Sequence, residues 1–225
     1  MKHIVVAVDG PAGAGKSSVC KEVAKKLNIT YIDTGAMYRA CALMALETGV
    51  DVRRETPMMR RMFEDFDLRF ENNKSTQKVI LNDVDITREI REPHISNGAS
   101  YISAIPYVRD KMVELQRKMA DNCSVLMDGR DIGTNVFPNA DVKIFLTAKP
   151  EQRAKRRFEE LIKKGVKTTF EEVLDEINKR DKNDSEREYA PLKVAEDAVV
   201  IDTTDFTFSQ SVEAVLSHIS KFIGE

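Results

Sequence analysis

The chain has 225 residues, 42% hydrophobic and 32% charged, with 35 Lys plus Arg against 37 Asp plus Glu and a formal net charge of −2. At roughly 150 residues per domain, one large or two small domains fit. The balance excludes a dedicated binder of nucleic-acid polymers, which carries a basic surplus, and a disordered chain, which carries high net charge and few apolar residues. Cys20, Cys41 and Cys123 are odd in number, and His3, His94 and His218 are scattered, so neither a disulfide framework nor a zinc site is expected. No apolar run reaches the roughly 18–20 residues that span a bilayer, and no secretory h-region opens the chain. The expectation is a cytoplasmic protein with no membrane partner.

The first segment, Ile4-Val5-Val6-Ala7-Val8, is apolar without alternation, as in a strand buried on both faces of a parallel sheet. Comparable segments recur at 29–32, 124–127, 142–146 and 198–201. Helical stripes lie between them. Val19, Cys20, Val23, Ala24 and Leu27 follow Lys16, and Pro106 opens a helix with Val108, Met112, Leu115 and Met119 on one face. Pro150 suits the first turn of a helix over 152–164. Thr169-Phe170-Glu171-Glu172 reads as a capping box for a helix carrying Phe170, Val173, Leu174 and Ile177. The last helix is expected to bury Val212, Val215, Leu216, Ile219 and Phe222. This alternation predicts an α/β fold, a five-stranded parallel sheet with helices on both faces. One region breaks it. Residues 68–70 and 78–81 flank the polar stretch 71–77, and a further short strand follows at 84–86, so a small antiparallel β insertion is expected at about 63–93.

Gly10-Pro11-Ala12-Gly13-Ala14-Gly15-Lys16-Ser17, followed by Ser18, matches the P-loop pattern G-x-x-x-x-G-K-S/T between a buried strand and an amphipathic helix. Glycines let the backbone curl so that successive N–H groups face phosphate oxygens, and the helix N-terminus adds partial positive charge. Lys16 is expected to reach the β- and γ-phosphates and Ser17 to coordinate Mg²⁺. Without that chemistry the segment would be an ordinary glycine-rich strand-to-helix turn. The motif leaves two classes open: a kinase passing the γ-phosphoryl group to a small acceptor, and a GTPase-like switch passing it to water. Asn178-Lys179-Arg180-Asp181 spells the guanine-reading N-K-x-D, but it continues the helix of Val173 and Ile177 rather than following a strand. It is read as coincidence.

Asp33-Thr34-Gly35 closes the second strand and opens a helix through Arg39, which suits both an N-cap and a second anion site. Val125-Leu126-Met127-Asp128 is a Walker-B-like apolar run ending in an acid, so Asp128 is expected to hold Mg²⁺ directly or through water. Arg130 and Asp131 follow in the same turn, where a solvated salt bridge is the plain alternative. From Lys149 to Arg157 five basic residues (Lys149, Arg153, Lys155, Arg156, Arg157) face one acid, Glu151. Such a run is usually a solvated helix face. Beside a P-loop it reads as a source of arginines for a transfer between two phosphate-bearing substrates, each monoester carrying about −1.5 to −2. Arg180 and Arg187 lie further on, and the stretch spanning both groups reads as a lid.

GPAGAGKSS, YIDTGAMYR, SNGAS, MDGRDIGT, VFPNADVKIFL, EQRAKRR and REYAPL together resemble bacterial cytidylate kinase, a nucleoside monophosphate kinase family, along nearly the whole chain. The resemblance implies a P-loop NTPase fold divided into core (1–35), nucleoside-monophosphate-binding region with the β insertion (36–104), core (105–150), short helical lid (151–188) and core (189–225). It implies ATP-dependent phosphorylation of CMP and dCMP with ATP-Mg²⁺ as donor; the alternatives are a kinase for another small acceptor such as UMP or shikimate, and a nucleotide-regulated switch without transfer. A monomer is expected. Lys16, Arg130, Arg153, Arg156 and Arg157 would be catalytic, the three lid arginines closing over ATP. Thr34 would lie near the sugar, Arg39 and Arg130 would grip the acceptor phosphate, and Ser100, Arg109 and Asp131 would read the cytosine. Arg180, Asp184 and Arg187 would contact phosphate and sugar. Lys149 departs from the Ser that precedes Pro-Glu in many relatives, which removes a side-chain cap from the lid helix.

Overall fold

Five short apolar segments meet in one parallel sheet, where each satisfies its backbone against like neighbours. The central segments are buried on both faces, but the edge segment 199–202, expected to be buried like the others, leaves Val199 and Val200 exposed because it has a neighbour on one side only. In the computed structural model, which describes residues 3–72 and 77–223, the first half of the chain forms β1 (Val5–Asp9), α1 (Lys16–Leu27), β2 (Thr30–Asp33), α2 (Thr34–Glu47), α3 (Pro57–Met62), β3 (Leu68–Asn72), β4 (Gln77–Leu81), β5 (Val84–Asp85) and α4 (Pro93–Ile102). The second half forms α5 (Pro106–Ala120), β6 (Val125–Gly129), β7 (Val142–Thr147), α6 (Pro150–Lys163), α7 (Phe170–Glu186), β8 (Val199–Asp202) and α8 (Phe208–Ile223). Two compact units result: Met1–Ile32 with Ala120–Glu225, and Asp33–Met119.

In the first unit the sheet order is β2-β6-β1-β7-β8, with Val8 opposite Asp128 and Asp9 opposite Gly129 in the parallel β1–β6 pair. The core is made by Val6, Val8, Leu126, Ile144 and Leu146 of the sheet with Val19 and Val23 of α1 and Val212, Val215 and Ile219 of α8. Leu216 is half-buried against it, but Phe222, expected in the same stripe, is exposed. Geometry explains the difference. A helix of 16 residues runs about 24 Å, longer than the roughly 13–20 Å of strands of four to six residues, so its last turn overshoots the sheet. The capping box of α7 is complete: Glu172 N donates to Thr169 Oγ1 at 3.2 Å and Thr169 N to Glu172 Oε2 at 2.9 Å. Ala154, Leu161, Val173 and Ile177 give α6 and α7 a small core of their own. Lys149, at the N-cap of α6, makes no side-chain cap; its backbone N–H donates to Thr204 Oγ1 at 3.0 Å.

In the second unit β3, β4 and β5 form the expected antiparallel sheet, with Leu68 opposite Leu81 and Phe70 opposite Val79. Residues 73–76, in the polar stretch read as the hairpin loop, lie outside the described residues. β4 and β5 are joined by Asn82 and Asp83, both at positive φ (48° and 66°), the conformation a tight two-residue hairpin demands. In α5, Val108 and Met112 are buried, while Leu115 and Met119 are half-buried.

The burial pattern of α8 fixes a contrast. Ile219→Ala should lower the unfolding free energy by about 2–5 kcal/mol, as other buried large-to-small changes do. Phe222→Ala should change it by no more than about 0.5 kcal/mol. Urea unfolding of both variants checks the pair.

Candidate active site

The phosphate loop runs from β1 into α1. Gly10 adopts φ 150°, and a Cβ there would drive into the Leu146 carbonyl oxygen of β7, so only glycine fits. Gly15 caps α1 in the left-handed region at φ 84°. Lys16 is buried, and its Nζ donates to Gly10 O at 2.7 Å and Pro11 O at 2.8 Å. Burial and the nearby Arg130 push its ammonium down to about 7, against the pull of Asp128 and Asp9. Ser17 Oγ donates to Asp128 Oδ2 at 2.8 Å, and Tyr31 OH donates to Asp128 Oδ1 at 2.8 Å. The hydroxyl and the strand-end carboxylate singled out from sequence are therefore in direct contact, with a tyrosine orienting the carboxylate. Asp9, the last residue of β1, is also buried, and its carboxyl is pushed up to about 6 by burial against two backbone amides.

The end of β6 carries the second cluster. Arg130 Nε donates to Asp184 Oδ2 of α7 at 2.7 Å and its Nη1 to Gly129 O at 3.2 Å. Arg187 places Nη2 3.5 Å from Asp131 Oδ1 and Nη1 4.0 Å from Asp184 Oδ1. Asp131 Oδ2 accepts from Asn135 Nδ2 at 2.9 Å. Burial disfavours the Asp184 charge, yet Arg130, Arg180 and Arg187 together hold its carboxyl below the usual range. Burial likewise works against Arg130, and Asp184 with Asp128 and Asp181 more than offsets it. Arg130, Asp131, Arg180, Asp184 and Arg187 thus form one electrostatic group rather than the exposed Arg130–Asp131 bridge that the local sequence allows.

The three arginines of α6 part company. Arg153, expected to close over ATP, is buried and already forked three ways: Nη1 to Ala12 O at 2.8 Å, Nε to Ala148 O at 2.8 Å, and Nη2 to Asp181 Oδ2 at 2.6 Å. It braces the phosphate loop from behind. Arg156 donates to Thr203 O and, at 3.3 Å, to Thr203 Oγ1. Arg157 pairs with Glu160 at 2.8 Å on the helix surface, an interaction of the kind worth about 0–1 kcal/mol and easily exchanged. Asp181, the last letter of the N-K-x-D tetrapeptide, lies within α7 and serves Arg153.

Within the second unit, Asp33 caps α2 by accepting from Ala36 N at 2.8 Å and pairs with Arg39 Nη2 at 3.1 Å. Arg39 Nε is buried with no hydrogen-bond partner among the described residues, and Thr34 is buried in the first turn of α2. Arg109 is almost wholly buried, with Cζ 5.5 Å from the Tyr38 ring centroid and Nη1 donating to Ser103 O at 3.0 Å. Ser103 Oγ in turn donates to Ser100 O at 3.0 Å, which ties Ser100 to Arg109. Sequence reasoning assigned no role to Tyr31 or Asn135 and read Asp181 only as part of a coincidental tetrapeptide. Tyr31 and Asp181 act through partners 97 and 28 residues away, and Asn135 acts through Asp131 only because the turn between them brings its amide back.

A triphosphate-binding loop serves hydrolysis as well as transfer. Arg130, just after β6, with Arg180 of α7 and Arg187 at its C-cap, lies outside the loop and forms a second cationic group beyond the loop itself. Fold and site define a P-loop phosphotransferase of the nucleoside monophosphate kinase class. The family described as cytidylate kinase matches residues 6–221. The chain is 50% identical over 220 residues to "Cytidylate kinase" of Clostridioides difficile (strain 630), covering 98% of this chain and 100% of that one. It is 48% identical over 224 residues to "Cytidylate kinase" of Caldicellulosiruptor saccharolyticus, covering 100% of this chain and 99% of the relative. Among solved structures, an uncharacterized protein from Eubacterium ventriosum shares the fold at a TM-score of 0.51 with 13% identity, over 97% of this chain and 99% of that one. The chain belongs to the cytidylate kinase family.

The Arg153 fork supplies a test. Lysine keeps the charge but cannot serve three acceptors in a plane. Arg153→Lys should lower the unfolding free energy by about 1–3 kcal/mol, the cost of stranding a buried polar group, and raise the KM for ATP. Thermal melts with steady-state kinetics check it; an unchanged melt and KM would contradict the bracing role.

Proposed function

We propose that the γ-phosphoryl group of ATP passes in line to CMP or dCMP through the residues described above. Membership of the family over nearly the whole chain makes the activity phosphorylation of CMP and dCMP, with ATP as donor. A phosphate oxygen of the acceptor forms the new bond to the γ-phosphorus, the bond to the β–γ bridging oxygen breaks, and ADP leaves with that electron pair. A phosphate monoester is already largely ionised near neutral pH, so no general base is needed. Positioning and electrostatic stabilisation do the work.

The loop from Gly10 to Ser18 receives the triphosphate, with Lys16 leaving its own loop carbonyls for the β- and γ-phosphates. Arg157, paired with Glu160 at the helix surface, closes over ATP with Arg156, and Arg153 holds the loop in shape. Ser17 and Asp128 are hard oxygen donors that suit Mg²⁺, and among the described residues no group of three or more His, Cys, Asp or Glu could hold a metal alone. The ion would be held by Ser17, by Asp128 directly or through water, and by the phosphates. When bound, it neutralises charge on the β- and γ-oxygens.

For the acceptor, Arg39 and Arg130 grip the phosphate and Thr34 lies near the sugar. Arg180, Asp184 and Arg187 act on phosphate and sugar, and Ser100, Arg109 and Asp131 read the cytosine. The observation that carries this reading is the group of half-buried Arg130 and Arg187 with buried Asp131 and Asp184, which presents both charges a nucleotide needs. Cytosine differs from uracil in offering an amino donor at N4, and a carboxylate is the matching acceptor. A site built on such a bond rejects an analogue that leaves it unmade. No described helix is long and apolar enough to cross a membrane, and the protein is read as a cytoplasmic monomer.

ADP release should require ATP-Mg²⁺ and CMP or dCMP together, with UMP a poor substitute. Lys16→Ala should abolish transfer with the fold retained. Asp131→Ala should lose CMP-over-UMP discrimination more than ATP affinity, as kcat/KM ratios with each acceptor will show. Turnover of ATP without an acceptor at the same rate would defeat the transfer reading.

A further inference from the structure

Asp9 is a buried acid that the reaction does not use. It ends β1 immediately before the phosphate loop, yet its carboxylate points across the sheet edge rather than into the loop. Oδ1 accepts from Ile132 N and Oδ2 from Gly133 N, both at 2.8 Å. Those amides open the turn Ile132–Val136, a single wide turn of π-helical type.

The same turn is fastened from within. Asp131 O accepts from Asn135 N at 2.9 Å and Val136 N at 3.1 Å, and Phe137 N donates to Ile132 O at 2.7 Å. Asn135 then sends its side chain back to the residue that precedes the turn, Nδ2 donating to Asp131 Oδ2 at 2.9 Å. An amide nitrogen facing one carboxylate oxygen, with Arg187 on the Oδ1 side, sets the rotation of the carboxylate. Gly133 is crowded for the same reason. A Cβ there would stand 3.1 Å from Lys143 Cδ and 3.4 Å from Asp9 Oδ2. Lys143 cannot yield easily, since its Nζ is tied to Pro138 O at 2.5 Å and to Asp197 at 2.8–2.9 Å.

We propose that Asp9 and Asn135 are specificity-positioning residues: Asp9 holds the backbone that carries Asp131, Asn135 holds its carboxylate, and together they aim one oxygen at the cytosine amino group. The proposal rests on Asp131 being the base reader. A carboxylate free to rotate presents either oxygen at many angles, whereas discrimination between an amino group and a carbonyl requires one acceptor at one place. Asp9 also ties this turn to the strand that feeds the phosphate loop.

The test compares wild type, Asn135→Ala, Asp9→Asn and Asp131→Ala by kcat/KM for CMP and for UMP, KM for ATP, and thermal melting. Asparagine at 9 turns a donor toward one of the two amides, and alanine at 135 removes the donor to Asp131. Both variants should raise the KM for CMP and lower the CMP-over-UMP ratio about tenfold, the scale of one hydrogen bond to a charged group. The KM for ATP should stay within about twofold. If Asp131→Ala loses discrimination while Asn135→Ala and Asp9→Asn keep the wild-type ratio, the positioning role fails and the base reader stands. A lower melting temperature with an unchanged ratio, or equal rises in both KM values, means a structural role only and overturns the proposal. If Asp131→Ala keeps full discrimination, the base reader is elsewhere and the proposal falls with it. Should Asp9→Asn fail to fold, Asn135→Ala carries the test alone.

Discussion

A charge withdrawn from water has to meet a partner at once, and that requirement governs the carboxyl edge of the parallel sheet. Asp9, Lys16, Asp128, Asp131, Arg153 and Asp184 are all buried there. Left alone, each would be neutralised or would unfold the region. What is found instead is reciprocal satisfaction: Asp128 between Ser17 and Tyr31, Asp184 among three arginines, Asp9 on two amides, Arg153 on two carbonyls and Asp181. The parallel topology makes this possible. β1 and β6 run side by side in the same direction, so their last residues and the loops that follow emerge together.

Burial also explains why the arginines divide into two kinds. A guanidinium has five N–H groups in a fixed plane, and one that is fully enclosed must find acceptors for them within the protein. Arg153 does so, and in doing so it shapes the loop that binds phosphate. Arg157, at the helix surface, gives up little by exchanging Glu160 for another anion. The run of basic residues in α6 is therefore not a uniform field. One end of it is scaffold and the other is available for chemistry.

The sheet and its helices were legible in sequence because the central strands, buried on both faces, leave apolar runs, and the edge strand β8 keeps such a run although Val199 and Val200 are exposed. Thr169 and Glu172 announced the start of α7 through local chemistry. The phosphate loop was legible for the same reason: its constraints are contiguous, and Gly10 is forced by a clash that no other residue escapes. Legibility failed where a role depends on a partner far along the chain. Arg153 was read with its neighbours as a lid cation, since nothing local reveals that Ala12, 141 residues earlier, accepts its hydrogen bond. Phe222 kept the periodicity of α8 and lost its burial because the helix outruns the strands. Asp9 is the instructive omission. An apolar strand closing in aspartate was treated as informative for Asp128, and β1 ends the same way.

The near-zero net charge follows from this construction. A site that bound two nucleotides by an unbalanced positive field would strain its own fold, because buried like charges repel and each must be desolvated. Pairing every buried arginine with a carboxylate or carbonyl avoids that cost and leaves the arginine oriented. Arg130 illustrates the consequence: Asp184 favours its charged form despite burial and fixes its plane through Nε, so the side chain is oriented by its partner. Asp184 and Asp131 thus hold the neighbouring guanidinium groups in place. The 37 acidic residues set against 35 basic ones are, around this edge, what allows the basic ones to be buried at all.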